Sequence, residues 1–257
     1  MSSGLAYTTH GNPDGTPLVL LHSLALDHSV WDRFLPFVVD AHTVVTCDLP
    51  GHGQSPLRDE LSIEGMADEV AELIEQVADG ASARVVGMSM GGCVALALAQ
   101  RHPSRVRALG LVDTTAWYGP DAPQTWEGRA VKARDEGLGS LAGFQLDRWF
   151  TRSFRSEHPK VGEALLDVFR ANDLDSYVAS CRAMGAFDLR PGLKDISAPT
   201  VVAVGEQDMA TPPDFARVIA AEVPGAELHV LAGCAHLSAV ERPHDVATAL
   251  GRVLTQG

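Results

Sequence analysis

Residues 85–97 read Val-Val-Gly-Met-Ser-Met-Gly-Gly-Cys-Val-Ala-Leu-Ala, and this stretch decides the fold. Its β-branched beginning predicts a strand, its small apolar end predicts a helix, and Gly87 to Gly91 form a G-x-S-x-G turn between them. A side chain at either glycine would collide with the neighbouring strand or helix at so tight a corner. The amides at the start of the helix would favour negative charge near Ser89. The pattern therefore predicts that Ser89 is a nucleophile held at a strand-to-helix corner, with a plain Gly/Ser loop as the alternative.

The composition indicates an acidic globular protein. Its 257 residues can form one large domain with a substantial core, and 46% of them are hydrophobic while 21% are charged. A net charge of −13 argues against nucleic acid as a partner. No apolar run approaches the roughly 20 residues of a membrane span, and the first residues lack the pattern of a secretion signal. We therefore expect a cytoplasmic protein without a membrane partner, in which the widely spaced cysteines are packed as reduced thiols.

Short apolar strands alternate with helices in the first and last parts of the chain, which indicates βαβ units and a parallel sheet. Besides the strand before Ser89, the predicted strands are residues 5–10, 17–22, 43–47, 106–112, 200–204 and 227–231. Besides the helix after Ser89, the predicted helices are residues 62–78, 212–222 and 243–254. Between these parts, residues 117–195 lose the strand pattern and contain three of the four tryptophans. We interpret residues 117–195 as a helical cap inserted into an α/β core of residues 1–116 and 196–257.

A serine nucleophile needs a base, and the base needs a carboxylate to orient it. Where a serine occupies such a corner, its partners follow along the chain in the order Ser, Asp or Glu, His. Asp208 lies in the loop after the predicted strand at residues 200–204, where this carboxylate is expected. Asp113, which directly follows another predicted strand, is the rival, and Glu206 is a weaker alternative.

Three histidines follow Asp208 in the chain. His229 lies inside a predicted strand, and His244 lies in the first turn of a predicted helix, where we expect it to be solvated. His236 lies in a loop after the last predicted strand, from which a base can approach the serine corner. The sequence therefore predicts a catalytic triad of Ser89, Asp208 and His236.

A tetrahedral intermediate at Ser89 needs two backbone N–H donors for its oxyanion. One donor is the residue after the nucleophile, Met90, and the other lies in the loop after the early buried strand. In that loop we assign the second donor to Leu24, with Ser23 as the alternative. His22, which precedes them, is predicted to hold the loop in place.

Over essentially its whole length, the chain resembles the α/β-hydrolase superfamily, and within it the chain most resembles the 3-oxoadipate enol-lactonases. The triad motifs occur throughout the superfamily, whereas Trp-Phe-Thr at residues 149–151 and the Tyr-to-Cys stretch at residues 177–181 are the family-specific part. Further matches are Arg148, directly before Trp-Phe-Thr, and residues 23–31, 87–92, 126 with 129, 208–212, 235–238 and 240–241. The resemblance implies an α/β-hydrolase fold with a mostly parallel central sheet flanked by helices. It also implies a cofactor-free hydrolase that opens an enol-lactone to 3-oxoadipate in aromatic catabolism.

The resemblance leaves the substrate open, because the chain departs from the enol-lactonases at residues 22–23, 48–51 and 185–186. Those changes could remove contacts to a substrate carboxylate. The candidates for substrate binding are Ser23, Trp126, Arg129 and Trp149. Arg129 lies one helical turn after Trp126, so a guanidinium beside an indole could bind a carboxylate, with a solvated cap residue as the alternative. We expect a small-molecule ester or lactone as the partner, and both an anionic substrate and a homo-oligomer are compatible with the sequence.

The predicted reaction is acyl transfer, in which Ser89 attacks the ester or lactone carbonyl, His236 moves the protons and Asp208 orients the imidazole. The chain has no H-E-x-x-H motif and no Cys/His ligand spacing, so we expect neither a metal nor a cofactor. The alternatives are a carboxylesterase or carbon–carbon bond hydrolase of the same fold, a cofactor-free perhydrolase, and a non-catalytic ligand receptor. An intact triad argues against the receptor, because binding alone has no use for a serine at a strained corner.

Overall fold

Within residues 4–255, which the computed structural model describes, seven strands form one sheet in the order β1-β3-β2-β4-β5-β6-β7. Only β1 runs antiparallel, against β3, and every other neighbouring pair in the sheet is parallel. This arrangement confirms the predicted α/β class with a mostly parallel sheet. The strands are β1 (Tyr7–Gly11), β2 (Thr16–Leu21), β3 (His42–Cys47), β4 (Ala83–Met88), β5 (Val106–Val112), β6 (Thr200–Gly205) and β7 (Glu227–Leu231).

The centre of the sheet is buried on both faces, and its edges are not. Every residue of β4 and β6 is buried, and these strands are rich in valine, as is usual for strands covered by helices on both sides. The edge strands β1 and β7 contain only exposed and partly buried residues. Because β2, β4, β5 and β6 are parallel, their carboxyl ends lie at one edge of the sheet, and the loops that follow them can meet there.

Helices cover the sheet and fill the segment between β5 and β6. Helix α1 (Ile63–Val77) begins at Ser62, whose side chain accepts from Gly65 N–H, and it buries the apolar face that the sequence predicts. Helix α2 (Met90–Arg101) directly follows Ser89 and is almost entirely buried. The other helices are α3 (Ala122–Glu136), α4 (Ala142–Trp149), α5 (Arg152–Glu157), α6 (Pro159–Ala171), α7 (Leu174–Ala186), α8 (Pro213–Glu222), α9 (Ser238–Glu241), α10 (Pro243–Ala249) and α11 (Gly251–Thr255).

Residues 117–195, which we call the insertion, contain α3 to α7 and no strand. This matches the predicted loss of strand pattern, and its helix α4 ends at Trp149, beside the loop that contains His236. The backbone joins the two segments there, because Leu237 N–H donates to Trp149 O at 3.0 Å. The division of the chain into a core and a cap stays a prediction.

Most predicted elements agree with the structure to within one residue at each end, and two differ by more. The first strand is Tyr7–Gly11 rather than residues 5–10, because its pairing with β3 runs from Tyr7 opposite Cys47 to Gly11 opposite Thr43. The helix predicted over residues 243–254 is divided into α10 and α11, with Leu250 between them. Gly251 follows the break, and glycine is a poor helix former. The break places Leu250 against the sheet, where its Cδ2 would lie 3.1 Å from a Cβ built on Gly110.

None of the helices in the described range has the length and apolar character needed to cross a bilayer.

The four cysteines are buried free thiols, as predicted: Cys47, Cys93, Cys181 and Cys234. Burial raises the pKa of Cys93 and of Cys181 to about 11, so both thiols stay protonated and unreactive at neutral pH.

Candidate active site

The turn between β4 and α2 holds Ser89 in a strained conformation. Its backbone has φ +55° and ψ −118°, a region that residues other than glycine seldom occupy. Neighbouring groups keep it there, since Ser89 N–H donates to Val112 O at 2.9 Å and Thr114 Oγ1 donates to Ser89 O at 2.7 Å. Ser89 is therefore fixed at the carboxyl edge of the sheet, where it is 5% exposed.

Gly87 and Gly91 make this corner sterically possible, as the sequence predicts. A Cβ on Gly87 would lie 2.1 Å from Gly91 O, and a Cβ on Gly91 would lie 2.2 Å from Leu21 O. Both contacts are with backbone atoms, which cannot turn aside as the end of a flexible side chain can. The corner requires glycine on each side of the serine because β2 and α2 approach it too closely for a side chain.

The structure brings Ser89, His236 and Asp208 into one hydrogen-bonded chain. His236 Nε2 lies 2.9 Å from Ser89 Oγ, and His236 Nδ1 lies 2.8 Å from Asp208 Oδ2. All three residues are buried, so the chain is shielded from water on most sides. These contacts have the geometry in which a histidine can remove a proton from a serine while a carboxylate fixes its tautomer.

Asp208 is surrounded by hydrogen-bond donors. Its Oδ1 accepts from Ala210 N–H at 2.7 Å and Thr211 N–H at 2.9 Å, and its Oδ2 accepts from Thr211 Oγ1 at 2.8 Å as well as from His236. Burial acts to raise the pKa of Asp208, but His236 and these donors outweigh it and hold the pKa below its ordinary value. Asp208 is therefore ionised at neutral pH and can only accept, so His236 Nδ1 carries the proton and Nε2 is free to act as the base.

Asp113, the rival acid, lies near this chain but makes no hydrogen bond to His236. It is fully buried, and its Oδ1 accepts from Gly205 N–H while its Oδ2 accepts from Ser238 N–H, each at 2.9 Å. Burial, and then the charge of Asp208, raises the pKa of Asp113 well above its ordinary value. The two amides belong to the segments that carry Asp208 and His236, so Asp113 ties these segments together and does not orient the imidazole.

The remaining alternatives from the sequence also lie outside the hydrogen-bonded chain. Glu206 accepts from Gly233 N–H at 3.1 Å, near the surface. His229 lies in β7 with its side chain 42% exposed. His244 lies in the first turn of α10 with its side chain 75% exposed, as predicted. Neither histidine can therefore replace His236 beside Ser89.

The loop after β2 carries the predicted second oxyanion donor. Leu24 and Ser23 both line the cavity beside Ser89, and Met90 begins α2 directly after the serine. Within residues 4–255, neither the Leu24 N–H nor the Met90 N–H donates to a protein acceptor. Both amides are therefore available to a substrate oxygen.

His22 holds this loop from inside the core, as predicted. Its Nε2 accepts from Leu49 N–H and its Nδ1–H donates to Ser23 O, each over 2.8 Å. Burial lowers the pKa of His22 and lowers the pKa of the neighbouring His52 to about 3, so both rings stay neutral. The loop is thus fixed by hydrogen bonds and packing without an added charge beside the oxyanion position.

A narrow cavity of about 30 Å³ lies beside Ser89 and His236. That volume holds roughly one water-sized group, so it can take the reacting carbonyl but not a whole substrate. Its wall contains every residue that the sequence proposes for substrate binding, namely Ser23, Trp126, Arg129 and Trp149. Sequence reasoning missed five further residues of the wall, which are Tyr118, Gln145, Arg148, Met184 and Ala210.

A pocket of about 580 Å³, which we call the outer pocket, adjoins this cavity, and all of its wall except Ala210 belongs to the insertion. The two spaces share five wall residues, which are Tyr118, Trp126, Arg129, Arg148 and Ala210. Apolar side chains such as Phe144 form much of the rest of the outer pocket. Its charged wall residues are the cations Arg129, Lys132 and Arg148 and one anion, Asp121. The route to Ser89 is therefore locally positive in a chain that carries a net charge of −13.

Arg129 packs against aromatic rings and pairs with no carboxylate of the described residues. Its Nε donates to Tyr177 OH at 2.7 Å, and its guanidinium lies 5.2 Å from the centroid of the Trp126 ring. The predicted pairing of guanidinium and indole on one side of α3 is confirmed. The terminal nitrogens of Arg129 make no hydrogen bond within residues 4–255, so they remain available to a ligand.

A larger cavity of about 840 Å³ lies elsewhere and contains none of Ser89, Asp208 and His236 in its wall. Its charged wall residues include the carboxylates of Asp27, Asp48, Asp167 and Asp173. This cavity is therefore separate from the hydrogen-bonded chain of Ser89, His236 and Asp208. Within the described residues, no group of His, Cys, Asp and Glu side chains is arranged to hold a metal ion.

A family model described as the alpha/beta hydrolase family matches residues 18–249, which is most of the chain. The chain belongs to the alpha/beta hydrolase family. The matched region contains Ser89, Asp208 and His236 together with the whole insertion. The predicted α/β-hydrolase fold is therefore confirmed, and it is a fold shared by esterases and lactonases.

Individual relatives support the predicted resemblance. The 3-oxoadipate enol-lactonase 2 of Acinetobacter baylyi is 30% identical over 244 residues, covering 93% of this chain and 88% of that protein. A pimeloyl-[acyl-carrier protein] methyl ester esterase of Neisseria meningitidis is 32% identical over 235 residues, covering 87% of this chain and 72% of that protein. The crystal structure of the enol-lactonase from Burkholderia xenovorans LB400 superimposes with a TM-score of 0.92 at 34% identity, covering 98% of this chain and 96% of that one.

Proposed function

We propose that this protein is a serine hydrolase that opens a lactone or cleaves an ester through an acyl-enzyme, and that its substrate is 3-oxoadipate enol-lactone. The observation that carries the proposal is the unbroken chain from Asp208 through His236 to Ser89, at distances of 2.8 and 2.9 Å. This chain ends at a strained corner beside two unused backbone amides. A ligand receptor would gain nothing from such an arrangement.

In the proposed mechanism, His236 Nε2 takes the proton from Ser89 Oγ as the oxygen attacks the substrate carbonyl. The N–H groups of Leu24 and Met90 then hold the oxyanion, and one such donor is typically worth about 10²–10³ in rate. Ionised Asp208 stabilises the imidazolium and keeps it in the productive tautomer. His236 next protonates the leaving oxygen, and water activated by the same imidazole releases the acid.

An enol-lactone suits this site for two reasons. Its leaving group is an enol that converts to a ketone, so the acylation step is not readily reversed. Its carboxylate needs a local cation, because a chain of net charge −13 cannot concentrate an anion over long distances. Arg129 supplies that cation beside Trp126, with terminal nitrogens that no described residue occupies. Ser23 and Trp149 would complete the wall around the reacting group.

A carboxylesterase acting on a longer acyl chain is the second candidate. The outer pocket of about 580 Å³ has room for more than the small ring of an enol-lactone. The similarity to a methyl ester esterase also favours this alternative. Both candidates use the same residues around Ser89, and they differ only in what the insertion accommodates.

A turnover screen of the purified protein tests the proposal. It compares 3-oxoadipate enol-lactone with p-nitrophenyl esters, methyl esters of dicarboxylic acids, a carbon–carbon hydrolase substrate and hydrogen peroxide with acetate. We expect the highest kcat/KM for the enol-lactone. A higher value for a methyl ester would favour the second candidate, and turnover confined to the last two assays would favour the carbon–carbon hydrolase or the perhydrolase.

We also propose that the protein acts in the breakdown of aromatic compounds, as the enol-lactonase resemblance implies, and that it does so in the cytoplasm, as expected from the pattern of the sequence. A homo-oligomer stays a prediction, which sedimentation of the purified protein would test.

A further inference from the structure

Helix α4 presents two polar side chains to the cavity beside Ser89. Gln145 and Arg148 are three residues apart on this helix, so they lie on the same side of it, and both belong to the cavity wall. Arg148 also belongs to the wall of the outer pocket. This pair, which we call the α4 pair, has no part in the mechanism proposed above.

Gln145 is buried without a partner. The residue is 3% exposed, and its amide makes no hydrogen bond with any residue in the described range. Its amide atoms are not among the buried unpaired side-chain atoms of the described residues, so they keep contact with the cavity rather than being sealed in the protein interior. An amide that lies in the wall of a substrate cavity and lacks a protein partner is placed to bond with the substrate.

Arg148 is a partly buried cation without a counterion. Its guanidinium lies 5.2 Å from the centroid of the Phe144 ring, and within residues 4–255 it makes neither a hydrogen bond nor an ion pair. A carboxylate is close by in sequence, since Asp147 precedes it on α4, but Asp147 pairs with Arg155 instead. Among the described residues, therefore, no carboxylate forms an ion pair with Arg148 or with its neighbour in the wall, Arg129.

The surroundings of Arg148 also disfavour its charged form. Burial, and then the positive charge of Arg129, lowers the pKa of its guanidinium. Arg129 and Arg148 thus repel each other across the wall that they share. A substrate anion between them would offset that repulsion and accept hydrogen bonds from Arg148 and from the terminal nitrogens of Arg129.

We propose that the α4 pair recognises the acyl part of the substrate, with Arg148 binding a terminal carboxylate together with Arg129, and Gln145 hydrogen-bonding an uncharged oxo oxygen between that carboxylate and the scissile carbonyl. The proposal rests on the hydrolase function proposed above and adds the residues that would select esters and lactones of oxo-dicarboxylic acids, the class to which 3-oxoadipate enol-lactone belongs, over esters of simple fatty acids. It also explains why the cavity beside Ser89 can be as small as about 30 Å³. The acyl chain would leave that cavity between the two arginines and continue into the outer pocket.

Three p-nitrophenyl esters with acyl chains of equal length separate the two contacts. The hexanoate carries neither polar group, the 4-oxohexanoate carries the oxo group, and the hydrogen adipate carries the carboxylate. For each variant we compare kcat/KM ratios to the hexanoate, because a ratio cancels a general loss of active protein. Arg148→Met should lower the adipate-to-hexanoate ratio by about 10-fold or more, since it removes a charged hydrogen-bond donor. Gln145→Leu should lower the oxohexanoate-to-hexanoate ratio by about fivefold and leave the adipate ratio less affected.

Matched controls remove the same chemical groups outside the pocket. Arg134→Met deletes a cation from the exposed side of α3, where it lies 3.5 Å from Asp175, and Gln124→Leu deletes an exposed amide from the same helix. Both should leave the two ratios unchanged. Arg148→Lys should recover part of the adipate ratio, and Arg148→Gln replaces Arg148→Met if that variant does not fold.

An adipate ratio that is unchanged in Arg148→Met overturns the carboxylate assignment, and an oxohexanoate ratio that is unchanged in Gln145→Leu overturns the amide assignment. A failure of the hydrolase proposal would look different, because the wild-type protein would then hydrolyse none of the three esters. In that case calorimetric titration with adipate still tests the α4 pair. Binding that is lost in Arg148→Met and kept in Arg134→Met would support it, and equal binding by both variants would contradict it.

Discussion

The carboxyl edge of the sheet and the α4 face of the insertion both contact the cavity beside Ser89, but their polar groups are in opposite states. At the sheet edge, both oxygens of Asp208 are saturated by Ala210, Thr211 and His236, and both oxygens of Asp113 accept from backbone amides. On α4, Gln145 has no hydrogen-bond partner among the described residues, and neither has Arg148.

This difference distinguishes the groups that carry out the reaction from the groups that recognise the substrate. Groups that are saturated by the protein are held in one geometry before the substrate arrives, which is what general base catalysis requires. Groups that lack protein partners gain their hydrogen bonds only from a ligand, so they can discriminate between ligands. We therefore expect changes at the sheet edge to lower the rate for every substrate, and changes in the insertion to alter the order of substrates.

The largest effect is expected at the nucleophile. Ser89→Ala should lower kcat by about 10⁶ for all substrates while leaving the fold intact, because the members of a triad act as a unit. Steady-state kinetics on p-nitrophenyl acetate and circular dichroism measure the two properties. Ser156→Ala, at an exposed position of α5, is the control. Activity of Ser89→Ala within tenfold of wild type would remove Ser89 from the mechanism.

The second effect compares the two buried carboxylates. Asp208→Asn should lower kcat by about 10⁴, because an amide cannot keep the imidazole in the required tautomer. Asp113→Asn should lower kcat far less, since Asp113 contacts backbone amides and not the imidazole. The measurement is kcat for each of the two variants. A larger loss in Asp113→Asn than in Asp208→Asn would mean that Asp113, which follows β5, is the catalytic carboxylate, and that the hydrogen bond between His236 and Asp208 has no catalytic role.

A smaller and substrate-dependent effect is expected in the insertion. Arg129→Ala should raise KM for the enol-lactone by about 10- to 100-fold, because it removes charged hydrogen bonds to the carboxylate. The neutral ester p-nitrophenyl acetate should show a much smaller change in KM. Equal effects on both substrates, or no effect on either, would exclude Arg129 from substrate recognition and weaken the enol-lactonase proposal.

The smallest effect concerns stability rather than rate. The pKa of Asp113 is raised in the folded state by burial and by Asp208. The stability that such a carboxyl contributes is fully present below its unfolded-state pKa of about 4, and it is lost as the pH rises through the folded-state value. The Tm of the wild type relative to that of Asp113→Asn should therefore fall as the pH is raised above about 4. The measurement is thermal unfolding of both proteins across this pH range. A Tm difference that stayed constant, or that grew in favour of the wild type, would contradict a raised pKa of Asp113 in the folded state.

Much of the sheet edge could be predicted from the sequence because its constraints are local. The close approach of Gly91 to Leu21 O and the strain at Ser89 belong to one short turn, and such a turn has a recognisable residue pattern. The order of the partners along the chain then led to Asp208 and His236. The helix break at Leu250 was not predicted, although Gly251 is a local signal for it, because the apolar periodicity continues across the break.

The recognition wall could be predicted only in part, for a physical reason. The sequence shows that α4 is a helix with polar and apolar residues, but not which polar side chain faces Ser89, since the docking of the insertion on the core decides that. Arg148 begins a stretch that matches the enol-lactonases, but the resemblance assigned it no role, and only the structure shows that the neighbouring Asp147 pairs with Arg155. A further signal was the spacing of Gln145, Arg148 and Trp149, which places a glutamine and an arginine beside a candidate substrate-binding tryptophan.

The central claim is that Ser89 is the activated nucleophile of this protein, and covalent labelling tests it most directly. The wild-type protein is treated with a fluorophosphonate, digested, and examined by mass spectrometry. We predict one adduct, on the peptide that contains Ser89, with labelling strongly slowed in His236→Ala because the base is missing. An adduct on another residue, or continued ester turnover by a protein that takes up no label, would contradict the claim.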